Sequence, residues 1–394
     1  MGIRPVGKDS DFPVCPICGK PDWCAVFDIE GDYKLLTCMR DNNHSDIQGI
    51  DGNFYIYIGN SKGGNAIYEN ACQRLVRTEK KHDQANFQAF KAQQAKKVPV
   101  EEAIKPLPNS KLNKIYRYLL ELLILEDHHR DYLKKEGWTD EMIDLYGIKS
   151  FPVNDYTRWK ENVNTKNLTR KELGRKLYEK FGDLTGVPGA YIKENQKKQR
   201  YWTFAGADGI VFPIPDVYKQ IFRLRIRVEN PTKKGGKYRN LSSYSEKEID
   251  GIIRNVYENG CRSGNAIGFF QHNCDYYCCY LTEGEKKSMV TNYKLKAPCI
   301  DIPGVNSWSD LTAVNEETNE RMIDALKRLG VKILIIALDN DKYQNEAVMK
   351  NQIAIIELLK KEGFMIGLGE WDSWQGKGID DVLFAGEKPM YYLA

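Results

Sequence analysis

The chain has no apolar run near the ~18 residues a membrane-spanning helix needs, and its first residues lack the apolar stretch of a secretory signal. It has no Gly-x-x-x-x-Gly-Lys-Ser/Thr loop, so a motor of that type is not carried here, and no internal repeat is evident. Charge of one sign is also scarce: a formal net charge of +4 over 394 residues is too small to diagnose a polyanion-binding protein from the total. With 42% hydrophobic and 28% charged residues the chain is not disordered. The length allows two or three domains and a sizeable core, and the expected compartment is the cytoplasm. Ten cysteines would suggest disulfides in a tiny secreted protein; in a chain this long they read as metal ligands and reduced core thiols. Cys261, Cys274, Cys278, Cys279 and Cys299 belong to the second group. A site made of His272, Cys274 and Cys278 is the weaker reading, because Cys278 and Cys279 fall in an apolar strand.

What is present begins with Cys15-Pro-Ile-Cys18-Gly19. Two thiolates three positions apart on a tight turn, with Gly following, suit one tetrahedral zinc ion. Cys38, on the next expected strand Tyr33–Cys38, is the natural third ligand. For the fourth, Cys24 in Asp22-Trp23-Cys24 and His44 both lie within reach, and spacing does not separate them; Cys24 is preferred. A disulfide or plain burial competes, but the Pro and Gly positions weigh against it.

Two segments nearer the other end carry the chemistry: Cys279-Tyr-Leu-Thr-Glu-Gly-Glu285 and Ile333-Leu-Ile-Ile-Ala-Leu-Asp-Asn-Asp341. Each is an apolar run long enough for a buried strand that stops at acid. Glu283, Asp339 and Asp341 are therefore expected at strand ends facing one crevice. Three carboxylates within ~4 Å would repel by roughly 4 kcal/mol per pair at an effective dielectric of 20, which Mg²⁺ or Mn²⁺ relieves. A single acid after a strand is more simply a cap or turn residue, and for Asp341 alone that reading is as good.

Positive charge is concentrated. Residues 197–239 hold eleven Lys and Arg against three acids, a surplus of eight and twice that of the whole chain. In Ile221-Phe-Arg-Leu-Arg-Ile-Arg-Val228 the period of two puts Arg223, Arg225 and Arg227 on one strand face and Phe222, Leu224, Ile226 and Val228 on the other. Such a ladder suits a phosphate backbone, whose neutralisation releases counterions without reading sequence. A solvated outer face is the plainer alternative.

The strand, Glu283-Gly284, helix, strand, Asp339-x-Asp341 order, with the later acidic turn Gly376-Lys-Gly-Ile-Asp-Asp-Val-Leu383, resembles the Toprim domain of bacterial-type primases, topoisomerases and some nucleases. The resemblance implies catalytic and metal-holding roles for Glu283, Asp339 and Asp341, and a metal-holding role for Asp381. Thr282-Glu-Gly-Glu-Lys-Lys287, Ile302-Pro-Gly-Val-Asn-Ser-Trp308 and Lys377-Gly-Ile-Asp-Asp381 look most like the primase modules of phages, plasmids and integrative elements. Where many relatives place an acid shortly after Glu-Gly, this chain has Lys286 and Lys287. The cysteine pattern looks like the zinc ribbons that precede such primase cores, without the second Cys-x-x-Cys. Gly209-Ile-Val-Phe-Pro-Ile-Pro-Asp216, the alternating arginines and Lys237-Tyr-Arg-Asn-Leu-Ser-Ser243 resemble the family's basic subdomain, and His129–Ile143 its helical hairpin. The resemblance implies contact with nucleic acid or nucleotide by Arg223, Arg225, Arg227, Lys237, Arg239 and Lys286. It spans residues 12–45 and, in patches, 110–390.

The expected organisation is multidomain, α/β and α+β. It comprises a zinc ribbon at 1–60, a linker at 61–110, a helical and basic α+β subdomain at 111–270, and a Toprim α/β domain with a parallel sheet at 271–394. An amphipathic helix is expected in 111–136, and crossover helices over Glu317–Leu329 and Asn345–Lys361. The expected activity is primer synthesis on single-stranded DNA from nucleoside triphosphates, with structural Zn²⁺ and catalytic Mg²⁺ or Mn²⁺. Trp23 or Tyr33 would stack on bases, and any replicative helicase would be a separate chain. A Toprim nuclease shares the acids, and a single-strand-binding accessory with a decayed site is the non-enzymatic alternative. A topoisomerase is disfavoured for want of room for its gate domains.

Overall fold

The structure, a computed structural model, describes residues 3–8, 12–28, 34–41, 45–61, 64–71, 101–231, 236–264, 267–340 and 346–394. Asp341, His44 and Tyr33, and most of the expected linker, lie outside the described residues. Two compact units are formed, by residues 1–98 and 99–394. No helix among the described residues is long and apolar enough to cross a membrane.

The first unit is a six-stranded antiparallel sheet in the order Ile3–Pro5, Ala25–Asp28, Lys34–Cys38, Ala66–Asn70, Phe54–Asn60, Ile47–Gln48. Its core joins Val26, Leu36, Tyr55 and Tyr68 to Cys15, Cys24 and Cys38. The sheet runs past residue 60, where the sequence reading ended the ribbon. Ala66–Asn70 inserts between Lys34–Cys38 and Phe54–Asn60 and buries Ala66 and Tyr68.

In the second unit, the helix Asn109–Leu122 lays Leu112, Ile115, Tyr116, Leu119 and Leu120 against Leu224 and Ile226 of the basic strand Ile221–Val228. That strand lies between Gly209–Pro215 and Tyr238–Asn240, both antiparallel to it, and Lys149–Phe151 completes the sheet. The helical hairpin is Asp127–Lys135, then Gly137 at φ +93°, then Asp140–Leu145 capped by Thr139, whose Oγ1 accepts the Met142 N–H at 3.2 Å.

A second six-stranded sheet has the order Gly268–Phe270, Cys299–Ile302, Cys278–Glu283, Ile333–Ile336, Met365–Glu370, Met390–Leu393. The middle four strands are parallel and the two edges antiparallel. Both faces are covered, as parallel strands require. Tyr280, Cys299 and Ile335 pack with Met289 and Val290 of the helix Glu285–Leu295. Leu281, Ile300 and Leu334 pack with Leu326, Ile355 and Leu359 of the helices Met322–Arg328 and Glu346–Lys361. The first of these cores also takes in Trp138, Met142 and Phe212, so the expected boundary at 270 divides residues that share one core.

Candidate active site

The central strand Cys278–Glu283 is buried through Cys279, Tyr280, Leu281 and Thr282 and ends at Glu283. Gly284 turns the chain at φ +94°, a conformation that favours glycine, and its N–H donates to the Ile302 carbonyl at 3.0 Å as the helix begins. On the neighbouring strand, Ala337 N–H continues the pairing to the Leu281 carbonyl at 2.9 Å, which brings Asp339 to the same end of the sheet. Asn340 ties this loop to the acidic turn, its N–H donating to the Lys377 carbonyl at 3.1 Å and its Nδ2 to the Trp371 carbonyl at 2.9 Å. Outside the carboxyl ends of parallel strands is where open α/β sheets bind ligands.

There the chain forms a cavity of about 540 Å³. Its acids are Glu136, Glu283, Glu285, Asp339, Asp380 and Asp381; its cations are Arg225, Arg227, Lys237, Lys286, Lys287 and Lys377. Asp339 is only 6% exposed, with Lys287 Nζ 2.6 Å from Oδ1 and Lys377 Nζ 3.4 Å from Oδ2. Lys286 bridges Glu136 at 2.6 Å and Asp380 at 3.3 Å. Burial opposes its charge, yet the two carboxylates hold its ammonium above the ordinary lysine range. Burial likewise raises Asp380, with Lys286 opposing. Asp381 Oδ2 accepts the N–H groups of Lys377 and Gly378 at 3.0 and 3.1 Å, so it caps the helix Ile379–Phe384 while lining the cavity.

Among the described residues, no three of these acids bring their oxygens together as a ligand set. Glu283 and Asp339 share the cavity, lysine ammonium groups face Asp339, and Asp341, the third expected carboxylate, lies outside the described residues. The donors are hard carboxylate oxygens, which fits Mg²⁺ or Mn²⁺ and not a soft ion.

The basic strand divides its arginines. Arg225 and Arg227 line the cavity: Arg225 Nε lies 3.2 Å from Glu285 Oε2, and the Arg227 guanidinium sits 3.9 Å from the centre of the Tyr132 ring. Lys237 joins them there. Arg223, expected on the same open face, is instead fully buried, with Nη2 3.3 Å from Asp301 Oδ2. This end of the basic strand lies against the parallel sheet, where Gly268 lets Ile214 and Asp301 come close: a Cβ at 268 would stand 2.6 Å from Ile214 Cγ2 and 3.0 Å from Asp301 Oδ2. Burial lowers Arg223 and raises Asp301 to about 7, Arg223 opposing the second shift and Glu285 adding to it. Arg239 is exposed and outside the cavity lining. Lys286, expected at phosphate, already bridges two acids. Glu136 and Tyr132 were not singled out for this site from sequence, whereas Lys287 was marked as a lysine where relatives carry acid, and Lys377 and Asp380 lay in the later acidic turn without being chosen themselves.

In the first unit the Sγ atoms of Cys15, Cys18, Cys24 and Cys38 lie within 4.8 Å of one another. Cys18 and Cys24 are 3.6 Å apart, Cys24 and Cys38 3.9 Å. Zinc–thiolate bonds of ~2.3 Å in a tetrahedron set sulfur–sulfur edges of about 3.8 Å, so the four thiols fit that ion. The knuckle is built by Gly19 at φ +71°, with its N–H on the Cys15 carbonyl at 2.7 Å. The thiols share their protons unevenly: the Cys15 hydrogen bond, against burial, lowers the Cys38 thiol, while that hydrogen bond and burial raise Cys15 and burial raises Cys24. Trp23 beside it is 71% exposed, with Arg40 over its ring at 4.9 Å. Cys261, Cys279 and Cys299 are buried core thiols. His272, Cys274 and Cys278 form no ligand set among the described residues.

Residues 270–389 match the family model of a domain of unknown function, DUF3854. No curated protein matches this chain. Among solved structures, the chain is similar to the DnaG primase catalytic domain bound to single-stranded DNA, at 15% identity and a TM-score of 0.41 over 71% of this chain and 78% of that one. It is similar to the zinc-binding and RNA polymerase domains of the Aquifex aeolicus primase at 13% identity and a TM-score of 0.42, over 71% of this chain and 59% of that one. A DNA primase domain from Pseudomonas aeruginosa gives 17% identity and a TM-score of 0.41 over 70% and 75%. These structural neighbours are thus primase catalytic and zinc-binding domains, each at a distant likeness of fold.

Proposed function

We propose that this chain is a Toprim-type primase of a phage or mobile element, making short primers on single-stranded DNA by nucleotidyl transfer. The observation that carries the reading is one cavity with two chemistries on its walls: the strand-end acids Glu283 and Asp339, and the phosphate-binding groups Arg225, Arg227 and Lys237. At about 540 Å³ it falls in the size range of nucleotide-sized ligands. Arg225 and Arg227 each offer a planar fork of donors to phosphate oxygens, and Tyr132 holds the Arg227 plane in place. Glu283 and Asp339, with Asp341 beyond the described residues, would hold Mg²⁺ or Mn²⁺, and Asp381 and its neighbour Asp380 would bound that site. The bound cation would stabilise charge on the attacked phosphate and help activate the primer 3′-hydroxyl. The protein's own contribution is positioning and fixed charge. Cys15, Cys18, Cys24 and Cys38 would hold a structural zinc, and exposed Trp23 would stack on a template base. The setting that follows is cytoplasmic replication, with nucleoside triphosphates as substrates and any helicase on a separate chain.

The test is incubation with single-stranded template, labelled nucleotides and Mg²⁺ or Mn²⁺, followed by sizing of the products. Wild type should extend products. Asp339→Asn and Glu283→Gln should abolish them while template binding survives nearly unchanged. DNA shortened by wild type and spared by Asp339→Asn would establish a nuclease. Neither synthesis nor cleavage, with binding intact, would establish a binding accessory.

A further inference from the structure

Among the described residues, six acids and six cations line the cavity. Lys287 reaches from the first turns of the helix Glu285–Leu295 to place Nζ 2.6 Å from Asp339 Oδ1. Its side chain lies along the backbone of Gly378, where a Cβ would stand 2.7 Å from Lys287 Cε. The pair is largely shielded from water: the Lys287 side chain is 21% exposed and that of Asp339 8%. Lys377, on the other oxygen at 3.4 Å, is 65% exposed and correspondingly more screened.

An ammonium at hydrogen-bond distance and a divalent ion at a bond length of ~2.1 Å cannot share one carboxylate oxygen in the same place. We propose that Lys287 is a removable stand-in for the metal. It holds Asp339 when the cavity is empty and passes to a phosphate oxygen when a nucleoside triphosphate enters, freeing the Asp339 carboxylate for the cation. This rests on the nucleotidyl-transfer reading of the cavity. The lysine exchanges its ion pair with Asp339 for one with a phosphate oxygen as the cation takes its place on the carboxylate, so neither charge is left buried and unpaired at any stage. Metal and nucleotide are then coupled: a bare cation meets a carboxylate already neutralised, whereas a cation arriving with triphosphate meets one that the phosphate has unmasked.

The coupling gives effects of opposite sign in one variant. Free Mn²⁺ is titrated against the full chain by electron paramagnetic resonance without nucleotide, and a non-hydrolysable nucleoside triphosphate is titrated by calorimetry with Mg²⁺ present. Lys287→Met should bind Mn²⁺ alone about tenfold or more tighter than wild type, and the triphosphate about tenfold more weakly. Lys287→Gln, which keeps much of the reach and the donor but removes the charge, should shift both in the same directions by less. Asp339→Asn placed on Lys287→Met should erase the gain in Mn²⁺. If Lys287→Met leaves Mn²⁺ affinity unchanged while Asp339→Asn abolishes it, the stand-in is wrong and the metal site stands. If Mn²⁺ binding ignores Asp339→Asn in both backgrounds, the metal reading of the cavity falls too.

Discussion

Arg223, Arg225 and Arg227 are spaced alike and meet three environments: an enclosed ion pair with Asp301, a carboxylate at the cavity wall, and a tyrosine ring. Periodicity reports which face a side chain leaves from and says nothing of what stands over it. Asp301, which decides the matter for Arg223, is 78 positions away in sequence. Removing that guanidinium would leave a buried carboxylate unpaired. Arg223→Met should therefore destabilise the second unit by about 3–5 kcal/mol. Denaturant unfolding is the measurement, and a change below about 1 kcal/mol would show that the pair contributes little. Glu283 and Asp339 were legible for a different reason, since an acid ending a buried apolar strand is placed by its own neighbours. The Lys286 bridge to Glu136 spans 150 positions and was not legible.

At the level of elements, the basic strand brings its remaining pair of arginines to the cavity. Replacing Arg225 and Arg227 together by Ala should weaken single-strand binding irrespective of sequence. It should also flatten the slope of log affinity against log salt by roughly 0.7 for each phosphate no longer neutralised. An unchanged slope would move the binding face off this strand. Arg239, exposed and away from the cavity lining, should contribute less. Element types were legible wherever local signals agreed, as at the hairpin where Gly137 ends one helix and Thr139 caps the next. Boundaries were less so. The crossover helix expected from Glu317 begins at Met322, because Asn315 Oδ1 takes the N–H groups of Glu317 and Thr318 at 2.9 and 3.1 Å and holds those residues in a turn. The ribbon outran its expected end because the strand Ala66–Asn70 is inserted between two earlier strands, a pairing that no local pattern marks.

For the whole molecule, the small first unit has a narrow apolar core built around cysteines, whereas the second has three extended cores. Metal removal should separate them. Structural zinc contributes on the order of 10 kcal/mol or more to such folds, so chelation or Cys15→Ser should unfold residues 1–98 and leave 99–394 folded. Elemental analysis should give one zinc per chain; none in protein purified without chelator would overturn this. The order of the parallel sheet also bears on how the chain is made. The earliest of its parallel strands, Cys278–Glu283, is central. Cys299–Ile302 joins on one side and Ile333–Ile336 on the other, then Met365–Glu370 and Met390–Leu393 extend that second edge in turn. As the polypeptide leaves the ribosome, Ile333–Ile336, Met365–Glu370 and Met390–Leu393 each find an open edge waiting, whereas Cys299–Ile302 enters between the earlier strands Gly268–Phe270 and Cys278–Glu283. Asp380 and Asp381 enter the cavity only on the helix between the final two strands. Synthesis thus completes the cavity wall late, one strand before the sheet itself is finished.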